Sequence, residues 1–183
     1  MRALLCAVLA ALALMPHHAS AQVRTASANE AALILPPGSI VKTADMDFGT
    51  IAVLAAAGTV VLTPQATATC TPSGTLVHSG ACQAAAFVIR GIRNQHVRIR
   101  DGGNTGQITL TGPGGATMLM DTETISVSGM VANGNGQGWR FGNYQINSAS
   151  GNANFWLGGT LHVAANQAAG VYTGTLTVQI QFN

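Results

Sequence analysis

Charged residues are scarce in this chain, because Asp, Glu, Lys and Arg together make up 8% of its 183 residues. There is also no surplus of one sign. If the first 21 residues are removed as a signal peptide, Arg2 goes with them, leaving seven basic and six acidic residues and a net charge of +1. Such a balance provides no long-range attraction to nucleic acid or to an acidic membrane surface.

A long hydrophobic run is missing as well, which excludes a transmembrane helix of about 20 residues in the mature chain. The amino terminus has a shorter apolar run, residues 3–15, which follows the basic Arg2 and precedes the small residues Ala19-Ser20-Ala21. This pattern is typical of a secretory signal and its cleavage site. The sequence therefore predicts a signal peptide over residues 1–21, a mature chain from Gln22, and export to the periplasm or cell surface.

Cysteine is nearly absent from the mature chain, with Cys70 and Cys82 as its two members. An isolated pair in an oxidising compartment favours a disulfide, here closing a loop of 13 residues and contributing about 3 kcal/mol. A redox motif would need Cys-x-x-Cys, and a zinc site would need further ligands at short spacing. Because neither pattern is present, we predict a structural disulfide.

Recognisable catalytic patterns are missing too. The mature histidines His78, His96 and His162 show no metal-ligand spacing, and the acidic candidates for a calcium site or a carboxylate pair, Asp45, Asp47, Asp121 and Glu123, lack a calcium-loop pattern. No Gly-x-Ser-x-Gly nucleophile motif occurs either. The sequence therefore predicts a protein that is not an enzyme and that holds no cofactor or metal.

Alternating hydrophobicity is what the chain does have, and it is clearest over residues 170–183. One face of this carboxyl-terminal ribbon is apolar, and the opposite face carries hydroxyl and amide groups. Side chains alternate across a strand, so this pattern predicts a β-strand that covers a core on one side. The apolar face consists of Tyr172, Leu176, Val178, Ile180 and Phe182.

Short strands separated by turns are predicted along the rest of the chain. The full chain contains 22 glycines, which favour turns, and no helical period is present. We predict an all-β fold, an immunoglobulin-like, pilin-like antiparallel sandwich of about seven to nine strands, with a closed barrel as the alternative. Residues 22–30 form a flexible leader and residues 31–183 a single domain. Predicted strands include residues 59–63, 85–90, 95–100, 107–111, 116–121, 124–130, 139–146 and 155–164.

Basic residues gather in one place, since Arg90, Arg93, Arg98 and Arg100 lie within eleven positions. If Val97 and Ile99 face the core, His96, Arg98 and Arg100 share the outer face of one strand. This face is a candidate surface for a polyanion such as a glycan. The simpler interpretation, which we favour, is a solvated face that protects an edge strand from incorrect pairing.

Two blocks of sequence carry a family resemblance. Residues 40–51, Ile-Val-Lys-Thr-Ala-Asp-Met-Asp-Phe-Gly-Thr-Ile, and residues 165–178, Ala-Asn-Gln-Ala-Ala-Gly-Val-Tyr-Thr-Gly-Thr-Leu-Thr-Val, resemble the signature blocks of domain-of-unknown-function family 4402. That family consists of exported bacterial domains. The resemblance covers nearly the whole mature chain. Between the two blocks it rests on composition more than on motifs.

The carboxyl-terminal ribbon also resembles that of pilin subunits assembled by a chaperone and an usher. Gly170 matches the glycine fourteen residues from the end of those subunits, and Phe182 matches their penultimate aromatic residue, which is usually tyrosine. Leu176, Val178 and Ile180 match the alternating apolar residues between them. The resemblance implies an incomplete sandwich whose groove receives a strand, first from a periplasmic chaperone and then from a like subunit.

The functional expectation is therefore a secreted structural or surface protein assembled by strand pairing. A donor strand would lie between residues 22 and 35, where residues 31–35 are apolar. The same segment is equally suited to be the first strand of a sandwich that is complete by itself. In that case the protein would be a stand-alone module that binds glycan or another surface ligand.

Overall fold

The computed structural model of the protein describes residues 38–53, 55–103, 106–133 and 141–183. Their regular structure consists of β-strands and one short 3₁₀ turn at Pro113–Gly115, so the predicted all-β class is confirmed. No helix in this part of the chain is long and apolar enough to cross a membrane. The predicted signal peptide and leader, residues 31–37, and residues 139–140 of one predicted strand lie outside the described residues.

Thirteen strands are present in the described residues, more than the seven to nine expected, because several consist of three residues. In chain order they are β1 Ser39–Ala44, β2 Thr50–Ala52, β3 Gly58–Leu62, β4 Cys70–Pro72, β5 Val77–Ser79, β6 Ala85–Arg90, β7 His96–Asp101, β8 Ile108–Thr111, β9 Thr117–Ser128, β10 Met130–Ala132, β11 Phe141–Ile146, β12 Asn152–Val163 and β13 Val178–Phe182.

The larger sheet is built around the twelve-residue strand β12. One edge of β12 pairs with β6 over its first half and with β3 over its second half, and the other edge pairs with β9. Strands β1, β4 and β8 extend this sheet to seven strands through β6, β3 and β9 respectively. All of these pairings are antiparallel.

A glycine pair lets β12 make these contacts. Gly158 and Gly159 are both buried, and a side chain at Gly158 would collide with the carbonyl oxygen of Leu62 on the neighbouring strand β3. The pairing of β12 with β9 shifts register between Gly158 and Thr160, so β9 carries a β-bulge there. The bulge reverses which side chains of β9 face inward: Met120 is buried on one side of it, and Ile125 packs on the core on the other.

The smaller sheet has four strands in the order β10-β11-β7-β13, and it faces the larger one across the main core. That core draws on both sheets, which makes the described domain a β-sandwich. At its centre the rings of Phe87 and Phe155 stack with their centroids 4.7 Å apart and their planes within 8°. Burial also raises the pKa of the Tyr144 phenol, which keeps this core residue neutral.

A second core cluster lies at the other end of β12. It contains Val60 and Leu62 of β3, Leu161 and Val163 of β12, together with Phe48, Leu76, Ile108 and Met120. The predicted disulfide is formed between Cys70 and Cys82 and packs against this cluster. Strands β2 and β5 form a third, two-stranded sheet, and both lie between Phe48 and Cys82 in the sequence.

The stacked aromatic pair provides a test of the core. Replacing Phe155, which is fully buried, with Ala is expected to lower the free energy of unfolding by about 3–5 kcal/mol, because it removes a stacked ring and leaves a cavity. Urea unfolding followed by circular dichroism measures this. Trp156→Ala is the control, because this neighbouring aromatic faces the opposite side of the same strand and is half-buried. Equal losses in the two variants would contradict the assigned core.

Candidate binding groove beside the carboxyl-terminal strand

The carboxyl-terminal ribbon has the alternation that its sequence predicts. Leu176, Val178, Ile180 and Phe182 are half-buried and pack against the main core. The residues between them, Thr177, Gln179 and Gln181, are exposed. The ribbon therefore covers the core on one side, yet none of its apolar side chains is fully buried.

Regular strand structure covers less of the ribbon than predicted. Residues 178–182 form β13, whereas residues 170–177 contribute a single bridge between Thr173 and Thr111 of β8. Since β8 belongs to the larger sheet and β7 to the smaller, the ribbon passes from one sheet to the other. Side-chain alternation continues through this crossing although the ladder of hydrogen bonds does not.

Tyr172 anchors the start of the ribbon. Its hydroxyl donates to the carbonyl oxygen of Ala168 at 2.8 Å and accepts from the side-chain amide of Gln167 at 2.8 Å. Its ring lies against Gly112, where any side chain would collide with it. Gly170 has φ of +148° and packs on Pro113, so a side chain there would be strained as well as crowded. These contacts fix the position of the ribbon before it reaches β7.

Within the described residues, β13 is an edge strand that pairs with β7 alone. Hydrogen bonds join Gly102 N to Thr177 O at 2.8 Å and Asn183 N to His96 O at 2.9 Å. In an antiparallel ladder the bonded pairs alternate with non-bonded ones, so the odd-numbered residues of β13 face β7. The N–H and C=O groups of Val178, Ile180 and Phe182 therefore point away from β7, along the open edge.

A groove lies beside the ribbon where the two core clusters meet. Its volume is about 420 Å³, and two of its lining residues, Met46 and Leu176, pack against both clusters. Its lining combines core side chains with residues 172–176 of the ribbon. The groove thus gives access to the apolar interior, with Phe48, Phe87, Ile108, Leu110 and Met120 among its walls.

Among the described residues that line the groove, the charged ones are a single ion pair. Lys42 at the end of β1 contacts Asp45 at 2.5 Å, and both side chains are largely exposed. An exposed pair of this kind contributes little to stability. The remaining polar lining consists of uncharged groups such as Thr173 and Thr175. The groove therefore favours an apolar or neutral occupant with hydrogen-bonding groups along one side.

The predicted basic face lies on β7, in the smaller sheet. His96, Arg98 and Arg100 are exposed, while Val97 and Ile99 between them are buried, as the sequence predicted. Register places Arg98 between Asn143 of β11 and Gln181 of β13. In the same way, His96 lies opposite Gln145 and Arg100 opposite Gln179. The basic side chains thus form rows with amide side chains across the outer surface.

The other candidate residues have local partners. Asp47 accepts a hydrogen bond from the backbone N–H of Gly49 at 2.8 Å, and Asp121 contacts His162 at 2.9 Å. Neither aspartate belongs to a group of three potential metal ligands among the described residues. His78, in contrast, lies beside the disulfide, a proximity that the spacing of His and Cys in the sequence did not reveal.

Patterns within single strands do not predict the groove. Met46 and Met120 lie in predicted extended segments, but nothing local indicates that both border one cleft. The one sequence pattern that pointed toward this region was the apolar face of the ribbon, because such a face packs against other apolar residues. The long-range pairing of β1, β8 and β13 leaves the groove open among the described residues.

Comparison with known proteins assigns the family. The model of a domain of unknown function, DUF4402, matches residues 39–182, so the chain belongs to this family. No curated protein matches the chain. No solved structure matches it either.

Proposed function

We propose that this protein is an exported, non-enzymatic structural or surface protein, similar to a pilin subunit, that accepts a β-strand along the open edge of β13. One observation carries the proposal: β13 pairs with β7 alone among the described residues, and the groove lies beside the same ribbon. The amino-terminal signal pattern supports export to the periplasm or cell surface.

Backbone geometry supports strand addition at this edge. Val178, Ile180 and Phe182 direct their N–H and C=O groups outward, which is the template that an added strand needs. The apolar side chains of β13 pack on the core but are only half-buried, so part of their own apolar surface stays exposed on this side. An extended segment would pair with the backbone of β13 and place alternate side chains over this exposed apolar surface.

The proposed occupant is the amino-terminal segment of a like subunit, with a periplasmic chaperone strand preceding it. Residues 31–35, Ala-Ala-Leu-Ile-Leu, are the apolar part of that segment. Gly38, the first described residue, lies against the ring of Phe182 in β13. Gly38 therefore lies close to the open edge, and the proposed donor segment precedes it in the sequence.

Proline at Ile180 tests this edge. We expect the mature wild-type protein to form oligomers that resist SDS, and Ile180→Pro to reduce them strongly, because proline removes an outward N–H but no bond to β7. Gel electrophoresis of unheated samples measures the oligomers. Ile180→Val is the matched control, since it keeps the N–H and most of the side chain.

Two further results bear on this experiment. Cooperative urea unfolding of the Ile180→Pro monomer would show that the domain still folds, so loss of oligomers would be an effect on the edge. A wild-type protein that stays a stable two-state monomer without any chaperone would contradict the proposal. That outcome would favour the sandwich that is complete by itself.

The second candidate function is a stand-alone module that binds an anionic glycan. It is supported by the rows of basic and amide side chains across β11, β7 and β13, since such side chains donate hydrogen bonds to anionic and hydroxyl groups. Arg98 and Arg100 are both exposed at the centre of these rows.

Exchange of the two arginines tests the second candidate. If this face binds glycan, Arg98→Ser with Arg100→Ser should weaken binding to an anionic polysaccharide by about tenfold or more, because one hydrogen bond to a charged group contributes about 1.5–3 kcal/mol. Salt elution from an immobilised polysaccharide measures it. Arg90→Ser with Arg93→Ser is the control of equal charge, as both are exposed outside β7. Equal retention of the two double variants would exclude a specific face.

A further inference from the structure

A histidine lies directly beside the disulfide. The Nε2 atom of His78 is 3.2 Å from the Sγ atom of Cys82 and 2.9 Å from the carbonyl oxygen of Phe48. The potential ligand atoms of Cys70, His78 and Cys82 all lie within 4.8 Å of one another, and each residue is half-buried. Two sulfur atoms and one imidazole nitrogen are thus gathered in a space the size of a metal coordination sphere.

Separate segments of the fold hold these three side chains together. Cys70 begins β4 and pairs with Leu62 of β3, while His78 lies in β5 opposite Ile51 of β2. The backbone of Gln83, next to Cys82, is bonded to that of Asp47 at 2.8 Å and 2.9 Å. Cross-strand pairs and a bridge therefore position the cluster even without the bond between the two sulfur atoms.

Gly49 makes room for the imidazole. A Cβ atom at this position would lie 2.8 Å from His78 Nε2, and the residue has φ of +69°, which favours glycine. The adjacent carbonyl of Phe48 receives the hydrogen bond from the ring. The local backbone thus fixes the nitrogen beside Cys82.

We propose that Cys70, His78 and Cys82 form a redox-gated site for a thiophilic metal ion of the Zn²⁺ type. With the disulfide intact, the sulfur atoms are bonded to each other and are not available as thiolates. After reduction, two thiolates and one imidazole provide three ligands, and water completes a tetrahedral set. The site would make the protein responsive to both reductant and metal.

A dithiol reductant would open the site in two exchange steps. Its first thiolate attacks Cys70 Sγ, the bond between the two sulfurs breaks, and the electron pair goes to Cys82 Sγ, which accepts a hydrogen bond from His78 Nε2–H and takes up a proton from solvent. Its second thiolate then attacks the mixed disulfide, which releases Cys70 as a thiolate and the reductant as a cyclic disulfide. The protein gains two electrons, and the two protons that the dithiol gives to solvent on forming its thiolates are matched by the two that Cys70 and Cys82 take up.

Metal binding then exchanges protons for the ion. Both thiols lose their protons, and the imidazole proton moves from Nε2 to Nδ1, so that Nε2 offers its lone pair. The hydrogen bond from His78 to Phe48 is given up in this step. Because metal binding releases protons, affinity for the metal should fall as the pH is lowered.

Zinc titration of the full exported protein tests the proposal. One sample is oxidised, and the other is reduced with a dithiol that is then removed under anaerobic conditions. Each sample competes with a chromophoric chelator for Zn²⁺. We expect the oxidised protein to bind no Zn²⁺ and the reduced protein to bind one equivalent. In reduced His78→Ala we expect the affinity for Zn²⁺ to fall roughly tenfold or more, since losing even a residue that only supports a metal ligand has an effect of that size. His162→Ala is the matched control, because this strand histidine lies against Asp121 and away from the cysteines.

The remaining outcomes of the titration also test the metal site. If reduced wild type and His78→Ala bind Zn²⁺ equally, or if neither binds, the disulfide is a structural cross-link and the proposal is wrong. Circular dichroism of each sample covers the case in which reduction unfolds the protein. Restoration of the native spectrum by Zn²⁺, lost in His78→Ala, would support the site, and no restoration would overturn it.

Discussion

Strand β13 pairs through one of its two edges among the described residues, and the proposed function depends on this constraint. Backbone N–H and C=O groups need partners, in protein or in water. On one edge β7 supplies them, while Val178, Ile180 and Phe182 direct theirs outward. The apolar face of the ribbon is held on the core at the same time. An edge with this combination can be extended by another strand, which links the fold to assembly.

Strand β12 connects the two core clusters. It pairs with β6 and β3 on one edge and with β9 on the other, and it contributes buried residues to both core clusters. The buried glycine pair at Gly158 and the bulge on β9 allow one long strand to serve both ends of the sandwich. The groove opens where those two clusters meet, so it is a product of the packing and not of a loop insertion.

Sequence patterns predicted the all-β sandwich because alternation follows directly from strand geometry. They predicted two strands within Thr117–Ser128, since the inward phase changes between Met120 and Ile125; the bulge explains that change in one continuous strand. They extended the last strand to Gly170 because alternation reports burial and not pairing. His78 beside Cys82 depends on the pairing of β2 with β5, a long-range contact that no local spacing encodes.

Amide hydrogen exchange on dilute, monomeric protein tests the open edge most directly. Gln179 and Gln181 belong to the bonded pairs with β7, whereas Val178, Ile180 and Phe182 belong to the non-bonded ones. The account predicts slow exchange at the two glutamine amides, fast exchange at the other three in the monomer, and protection of all five after assembly. Equal protection of all five in the monomer would show that the edge is already covered and would contradict the account.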